Sequence, residues 1–202
     1  MAEFYDKIPK EILNNLPVKS FNGTIYFIED ENGLNEIMSF LKNADILGFD
    51  TETRPAFKKG ITYNVALLQL ATSENAFLFK LSKLGLPDIL TEVLENENVI
   101  KTGAAIHDDL KALKKLKNFN PGGFVELQTF SDEFGIKDNG LKKLTGNLLG
   151  FRISKGARLT DWSNDVYTEN QLKYAATDAW VSCEIYKKLI RLNGNFKIKY
   201  TL

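Results

Sequence analysis

The octapeptide "DILGFDTE", residues 45–52, is apolar on both of its faces and ends in two acids. Side chains alternate along a strand, so Ile46, Gly48, Asp50 and Glu52 share one side. Leu47, Phe49 and Thr51 take the other. A strand that is apolar on both sides belongs at the centre of a sheet covered twice. That restricts the chain to layered architectures with helices on each face. It also carries two like charges to the strand's end, and sites in open α/β sheets gather outside the carboxyl ends of such strands. Adjacent carboxylates repel, and a cation held between them removes the repulsion.

The remaining periodicities fit that layered picture. "GTIYFIED" (23–30), "NVALLQLAT" (64–72), "NAFLFKL" (75–81), "NVIKTGA" (98–104) and "FVELQ" (124–128) read as strands. The second and third of these, joined by "SEN", form an expected antiparallel hairpin. "NEIMSFLKNA" (35–44), "PDILTEVLENE" (87–97) and "IHDDLKALKKL" (106–116) read as helices, followed by "TFSDEFG" and "GLKKLTGNLLG". "FRISKGARLTDWS" (151–163) has no clean period and reads as a loop. The segment 168–192 is one long helix, opened by a capping box of Thr168 and Gln171. Early strands are expected as a meander and later ones alternate with helices, which predicts an α/β domain with a mixed sheet.

The 202 residues contain no Pro/Gly/Ser-rich linker, so a single domain over 21–202 is expected, preceded by an N-terminal arm, 1–20. The segment "MAEFYDKIPKEILNN" is charged and lacks the apolar run of a signal peptide. No apolar stretch approaches membrane-spanning length. Cys183 is the only cysteine, which excludes an intrachain disulfide. A cytoplasmic protein with no membrane partner is the expectation. Lysine plus arginine and aspartate plus glutamate each total 26, so the net charge is zero. Coating nucleic acid by bulk charge is thereby disfavoured, whereas a local basic patch is not.

Two helices bring further acids. In 168–192, Leu172, Ala176, Ala179, Cys183, Tyr186 and Ile190 form one stripe. Val181, Ile185, Leu189 and Leu192 form a second, which extends back through Asp178 and Tyr174. An aspartate in line with an apolar stripe is costly to bury unless a partner or metal neutralises it. In 106–116 the apolar stripe is Ile106, Leu110 and Leu113; helix phase turns Asp109 towards its edge and Asp108 towards solvent. His107, the only histidine, reads as a surface group. Asp50, Glu52, Asp109 and Asp178 thus form an oxygen-only donor set, which suits two hard divalent cations, Mg²⁺ or Mn²⁺. A pair of such ions roughly 3.5–4 Å apart clamps in-line phosphoryl chemistry.

"FDTE", "IHDDL" and "YAATDAW", in that order, resemble the three motifs of the DEDD 3′–5′ exonuclease family, with "VALLQLAT" between the first two. The resemblance is to the tyrosine subtype, the group of ribonuclease D and of the Werner syndrome helicase exonuclease domain, and runs from about Gly23 to Leu192. It implies a ribonuclease H-like fold with a mixed five-stranded sheet flanked by helices on both faces. It implies a metal-dependent 3′–5′ exonuclease that hydrolyses DNA or RNA from single-stranded 3′ ends to nucleoside 5′-monophosphates. Asp50, Glu52 and Asp178 would hold one ion, Asp50 would bridge to a second, and Asp109 would assist that second ion directly or through water. Tyr174 would orient the attacking water.

Two loops supply local positive charge: Arg54, Lys58 and Lys59 with Phe57 among them, and Lys155 and Arg158 with Trp162 nearby. Phe57 could stack on a base. The cluster "KALKKLK" (111–117) reads as a solvated helix face. The competing reading is a catalytically inactive nucleic-acid-binding module of the same fold, which loss of a carboxylate would favour; all four are present.

Overall fold

The structure, a computed structural model, describes residues 4–56, 58, 60–154, 156–157 and 159–192. Phe57, Lys59, Lys155 and Arg158, expected to meet substrate, lie outside the described residues.

The strands are β1 (Thr24–Ile28), β2 (Ile46–Thr53), β3 (Val65–Ala71), β4 (Asn75–Lys80), β5 (Ile100–Gly103) and β6 (Phe124–Glu126), and the first and third helices are the short α1 (Lys10–Asn15) and α3 (Leu81–Leu84). They form one mixed sheet in the order β1-β4-β3-β2-β5-β6. The expected β3–β4 hairpin is antiparallel, as is β2–β3, while β1–β4, β2–β5 and β5–β6 are parallel. The sheet has six strands where the resemblance implied five; the sixth is the three-residue β6 from "FVELQ". The early strands are also not a simple meander. β1 lies at the far edge against β4, because α2 (Glu31–Lys42) separates it from β2 and crosses one face of the sheet.

β2 is central and covered twice. Leu47 and Phe49 enter a core with α2, α4 (Asp88–Glu95) and α5 (Ile106–Leu116). Ile46 faces the opposite layer, built on α8 (Glu169–Leu192) with α6 (Leu127–Asp132) and α7 (Leu141–Leu144). α8 approaches β2 so closely that a Cβ on Gly48 would overlap the carbonyl of Ala179 and come within 2.8 Å of the Cys183 nitrogen. The capping box is formed: Thr168 N donates to Gln171 Oε1 at 3.0 Å and Gln171 N to Thr168 Oγ1 at 3.2 Å. Upstream, the buried Lys80 ammonium donates to the Asp165 carbonyl and lies 5.1 Å from the centre of the Tyr167 ring. It ties β4 to the loop that feeds α8.

"GLKKLTGNLLG" is α7 followed by a π-helical turn, Thr145–Leu149. The N-terminal segment docks on that turn. Tyr5 N donates to Asn147 Oδ1 at 2.8 Å and Asn147 Nδ2 returns a bond to the Tyr5 carbonyl at 2.7 Å. Val18 and Arg152 form a bridge, and Ile8 and Phe21 are buried. Among the described residues, no helix is long and apolar enough to cross a membrane.

Candidate active site

β2 outruns its parallel neighbour. Its pairing with β5 ends at Gly48–Thr102, whereas the antiparallel pairing with β3 continues through Asp50–Gln69 and Glu52–Leu67. The two acids therefore project where β5 has already turned away into α5. From above, α8 presents Tyr174 and Asp178 one turn apart. One carboxylate oxygen each from Asp50, Glu52 and Asp178 lies within 4.8 Å of the others. Together with Tyr174 they line a cleft of about 570 Å³.

The electrostatics follow from that crowding. Burial, then the charges of Asp178, Glu52 and Asp109, hold the Asp50 carboxyl well above the usual carboxylate range. The Thr51 N–H, which donates to Asp50 Oδ1 at 2.9 Å, opposes this only in part. Tyr174 is nearly buried, hydrogen-bonds Asp178, and leans on Trp162 with ring centres 6.2 Å apart. Burial first, then the Asp178 charge and that bond, push its phenol above the ordinary tyrosine range. A phenol so placed keeps its proton, so it can donate and orient but is unsuited to act as a base. The all-oxygen trio, with the Asp50 carboxyl held from ionising by its acidic neighbours, fits a hard divalent cation.

Asp109 stands beside the trio, not within it. Its carboxylate accepts a hydrogen bond from the Thr51 hydroxyl, at the end of β2 on the α5 side. Helix phase separated the doublet correctly: Asp108 is exposed and pairs with Lys111 at 3.8 Å, and His107 is exposed as well. Burial raises the Asp109 carboxyl to about 6, with the Thr51 bond opposing. An acid whose pKa is higher folded than unfolded costs stability once the pH exceeds both values, and nothing below both. Metal-free Asp109→Asn should therefore be more stable than wild type at pH 7.5 by about 1–3 kcal/mol, with the difference closing towards pH 4. Denaturant melts of both proteins in chelator check this.

Of the expected basic residues, the described ones are placed apart from the acidic trio. Arg54 and Lys58 line a neighbouring pocket of about 320 Å³, separate from the carboxylate cleft. There Arg54 lies 5.1 Å from the Tyr63 ring centre and pairs with Asp161 at 3.4 Å. Trp162 is fully buried against Tyr167 and Tyr174, so it is core and not a stacking surface. Among the described residues, Lys142 and Lys143 of α7 are the cations that line the cleft. Sequence reasoning read "GLKKL" only as a helix, because no local pattern marks which loop-borne helix folds over a distant strand end.

The profile of the 3′–5′ exonuclease family matches residues 25–192. The chain belongs to that family. Over 208 residues it is 34% identical to the bifunctional 3′–5′ exonuclease/ATP-dependent helicase WRN of Mus musculus, covering 95% of this chain and 14% of that protein. It is 28% identical to ribonuclease D of Shewanella sp. over 90% of this chain and 45% of that one. The chain thus spans less than half the length of these relatives. In fold it resembles the Nibbler EXO domain of Aedes aegypti, with a TM-score of 0.77 and 20% identity over 86% of this chain and 92% of that chain. The sheet flanked by helices is accordingly of the ribonuclease H-like exonuclease type, and the family is one of metal-dependent hydrolytic nucleases. With the acidic trio assembled, the inactive-module alternative is not favoured.

Proposed function

We propose that this exonuclease domain removes nucleotides one at a time from single-stranded 3′ ends of DNA or RNA as nucleoside 5′-monophosphates. The observation that carries the proposal is the convergence of Asp50, Glu52 and Asp178 within 4.8 Å at the end of β2, in a chain of this family. These three residues would hold one divalent cation, Mg²⁺ or Mn²⁺; Asp50 would also reach a second, which Asp109 would assist. Bound there, such ions polarise the scissile phosphate and lower the pKa of water.

The chain's own groups supply the rest. Tyr174, its phenol kept protonated by burial and by Asp178, orients the attacking water. The water oxygen bonds to phosphorus and gives up one proton to solvent, the P–O3′ bond breaks, and the departing 3′ oxygen of the shortened strand takes up a proton. Lys142 and Lys143 lie where they can offset phosphate charge. Arg54 and Lys58, with Tyr63 beside them, line a second pocket that suits a neighbouring nucleotide. Phe57 and Lys59, next in sequence to Lys58, and Lys155 and Arg158 are proposed as further substrate contacts. Residues 21–202 acting as one domain, with 1–20 as a strapped arm, and a cytoplasmic setting complete the reading; the single buried thiol of Cys183 supports the last.

Wild-type protein incubated with 5′-labelled single-stranded DNA and RNA should yield a ladder shortened in single-nucleotide steps with Mg²⁺ or Mn²⁺, and intact strands with EDTA. Internal fragments from the first time point, or shortening that proceeds in EDTA, would overturn the proposal.

A further inference from the structure

Glu126, the last residue of β6, accepts three backbone hydrogen bonds. Its Oε1 takes Ala105 N at 2.9 Å and Gln128 N at 3.0 Å, and its Oε2 takes Ile106 N at 2.8 Å. Ala105 is the residue on which the chain turns from β5 into α5. It is the only non-glycine at positive φ among the described residues, at 63°. That left-handed conformation is unfavourable for an alanine, so the surrounding structure must impose it. The first N–H groups of a helix have no partner within it, and α5 has no side-chain cap of its own at Ala105. A carboxylate is the acceptor best suited to that end of the helix dipole. It arrives from a strand whose register is set by pairing Glu126 with Gly103.

The clamp borders the site. Ala105 and Gln128, both bound to the same Glu126 oxygen, line the carboxylate cleft. Asp109 lies one turn into the helix that the clamp anchors, and its carboxylate meets the Thr51 hydroxyl beside Asp50. Asp109 is therefore held by Thr51 at its tip, while Glu126 satisfies the first N–H groups of the helix that carries it.

We propose that Glu126 is a positioning residue that fixes the start of α5 so that Asp109 can serve the second divalent cation. The proposal rests on the exonuclease reading of the site. Carboxylates that orient a metal ligand without touching the ion typically change affinity or activity 10–100-fold when removed.

Mn²⁺ titrations by calorimetry, on wild type, Glu126→Ala, Glu126→Gln, Asp109→Asn and the Glu126→Ala/Asp109→Asn double variant, test it without measuring turnover. Glu126→Ala should weaken the weaker Mn²⁺ step about 10–100-fold. Glu126→Gln, which keeps one acceptor oxygen, should recover part of that loss, and amide exchange at Ala105 and Ile106 should quicken in both. With Asp109 already Asn, the Glu126→Ala change should add less than about twofold, since coupled residues are non-additive. Wild-type Mn²⁺ affinity in Glu126→Ala, no weakening in Asp109→Asn, or an undiminished Glu126 effect in the double variant would each overturn the assignment. If Glu126→Ala does not fold, Glu126→Gln alone and combined with Asp109→Asn carries the same comparison. Absence of any Mn²⁺ uptake by wild type would instead refute the metal site itself.

Discussion

Asp50→Asn should slow release from the 3′ end by about 10³–10⁴-fold and, in the same preparation, raise the melting temperature of the metal-free protein. Both effects have one cause. Asp50 is the member of the trio whose ionisation is opposed by burial and by Asp178, Glu52 and Asp109 together. In the metal-free protein that charge is a liability, and an amide of the same shape removes it. In the loaded protein the same charge would touch both ions, and its loss removes several kcal/mol of stabilisation of the developing phosphate charge. Single-turnover rates on end-labelled strands in Mn²⁺, set beside melts in EDTA, read the two effects separately. A variant that keeps wild-type rate would remove Asp50 from the chemistry. A variant that loses both rate and stability would make Asp50 a structural residue.

Gly48→Ala should lower the midpoint of thermal unfolding by about 6–20 °C, the equivalent of about 3–5 kcal/mol for a domain of this size. Gly48 sits two residues before Asp50 on the same face of β2, under the backbone of α8. A methyl there meets the carbonyl of Ala179 and the nitrogen of Cys183. These are main-chain atoms that cannot rotate aside, so the helix must lift. Lifting it withdraws Asp178 from Asp50 and Glu52, and any folded remnant should bind Mn²⁺ more weakly. Gly33→Ala is the control. It lies in α2, where the added methyl would find only ordinary contacts at 3.5 Å and beyond, and the helix gains about 1 kcal/mol in propensity. Equal melting temperatures for Gly48→Ala and wild type would mean that α8 does not rest on β2 as described.

Much of the site was legible because local periodicity reports which way a side chain faces. Two-residue alternation put Asp50 and Glu52 on one side of β2, and the hundred-degree step of a helix put Tyr174 and Asp178 in line. The same step separated Asp109 from Asp108, and the structure half-buries the first and leaves the second in solvent. Trp162, noted in the sequence only as lying near Lys155 and Arg158, is fully buried. Tyr167 and Tyr174 pack against it, and that contact requires α8 to lie over the loop, which no local pattern states. Glu126 was unmarked for a related reason: its three partners lie in a turn on another strand and in the helix that follows its own.

From the sequence alone came the doubly covered central strand, the hairpin after it, the capped long helix and the four acids that these elements carry. Each depends on residues within a few positions of one another, so the chain states it locally. The tertiary structure alone decided that β1 pairs with β4 at the far edge, that α7 brings Lys142 and Lys143 over the cleft, and that Glu126 anchors the helix of Asp109. Those are pairings across long loops. Their outcome is set by which apolar faces can be buried together and which backbone groups still need partners, and no short stretch of residues encodes either.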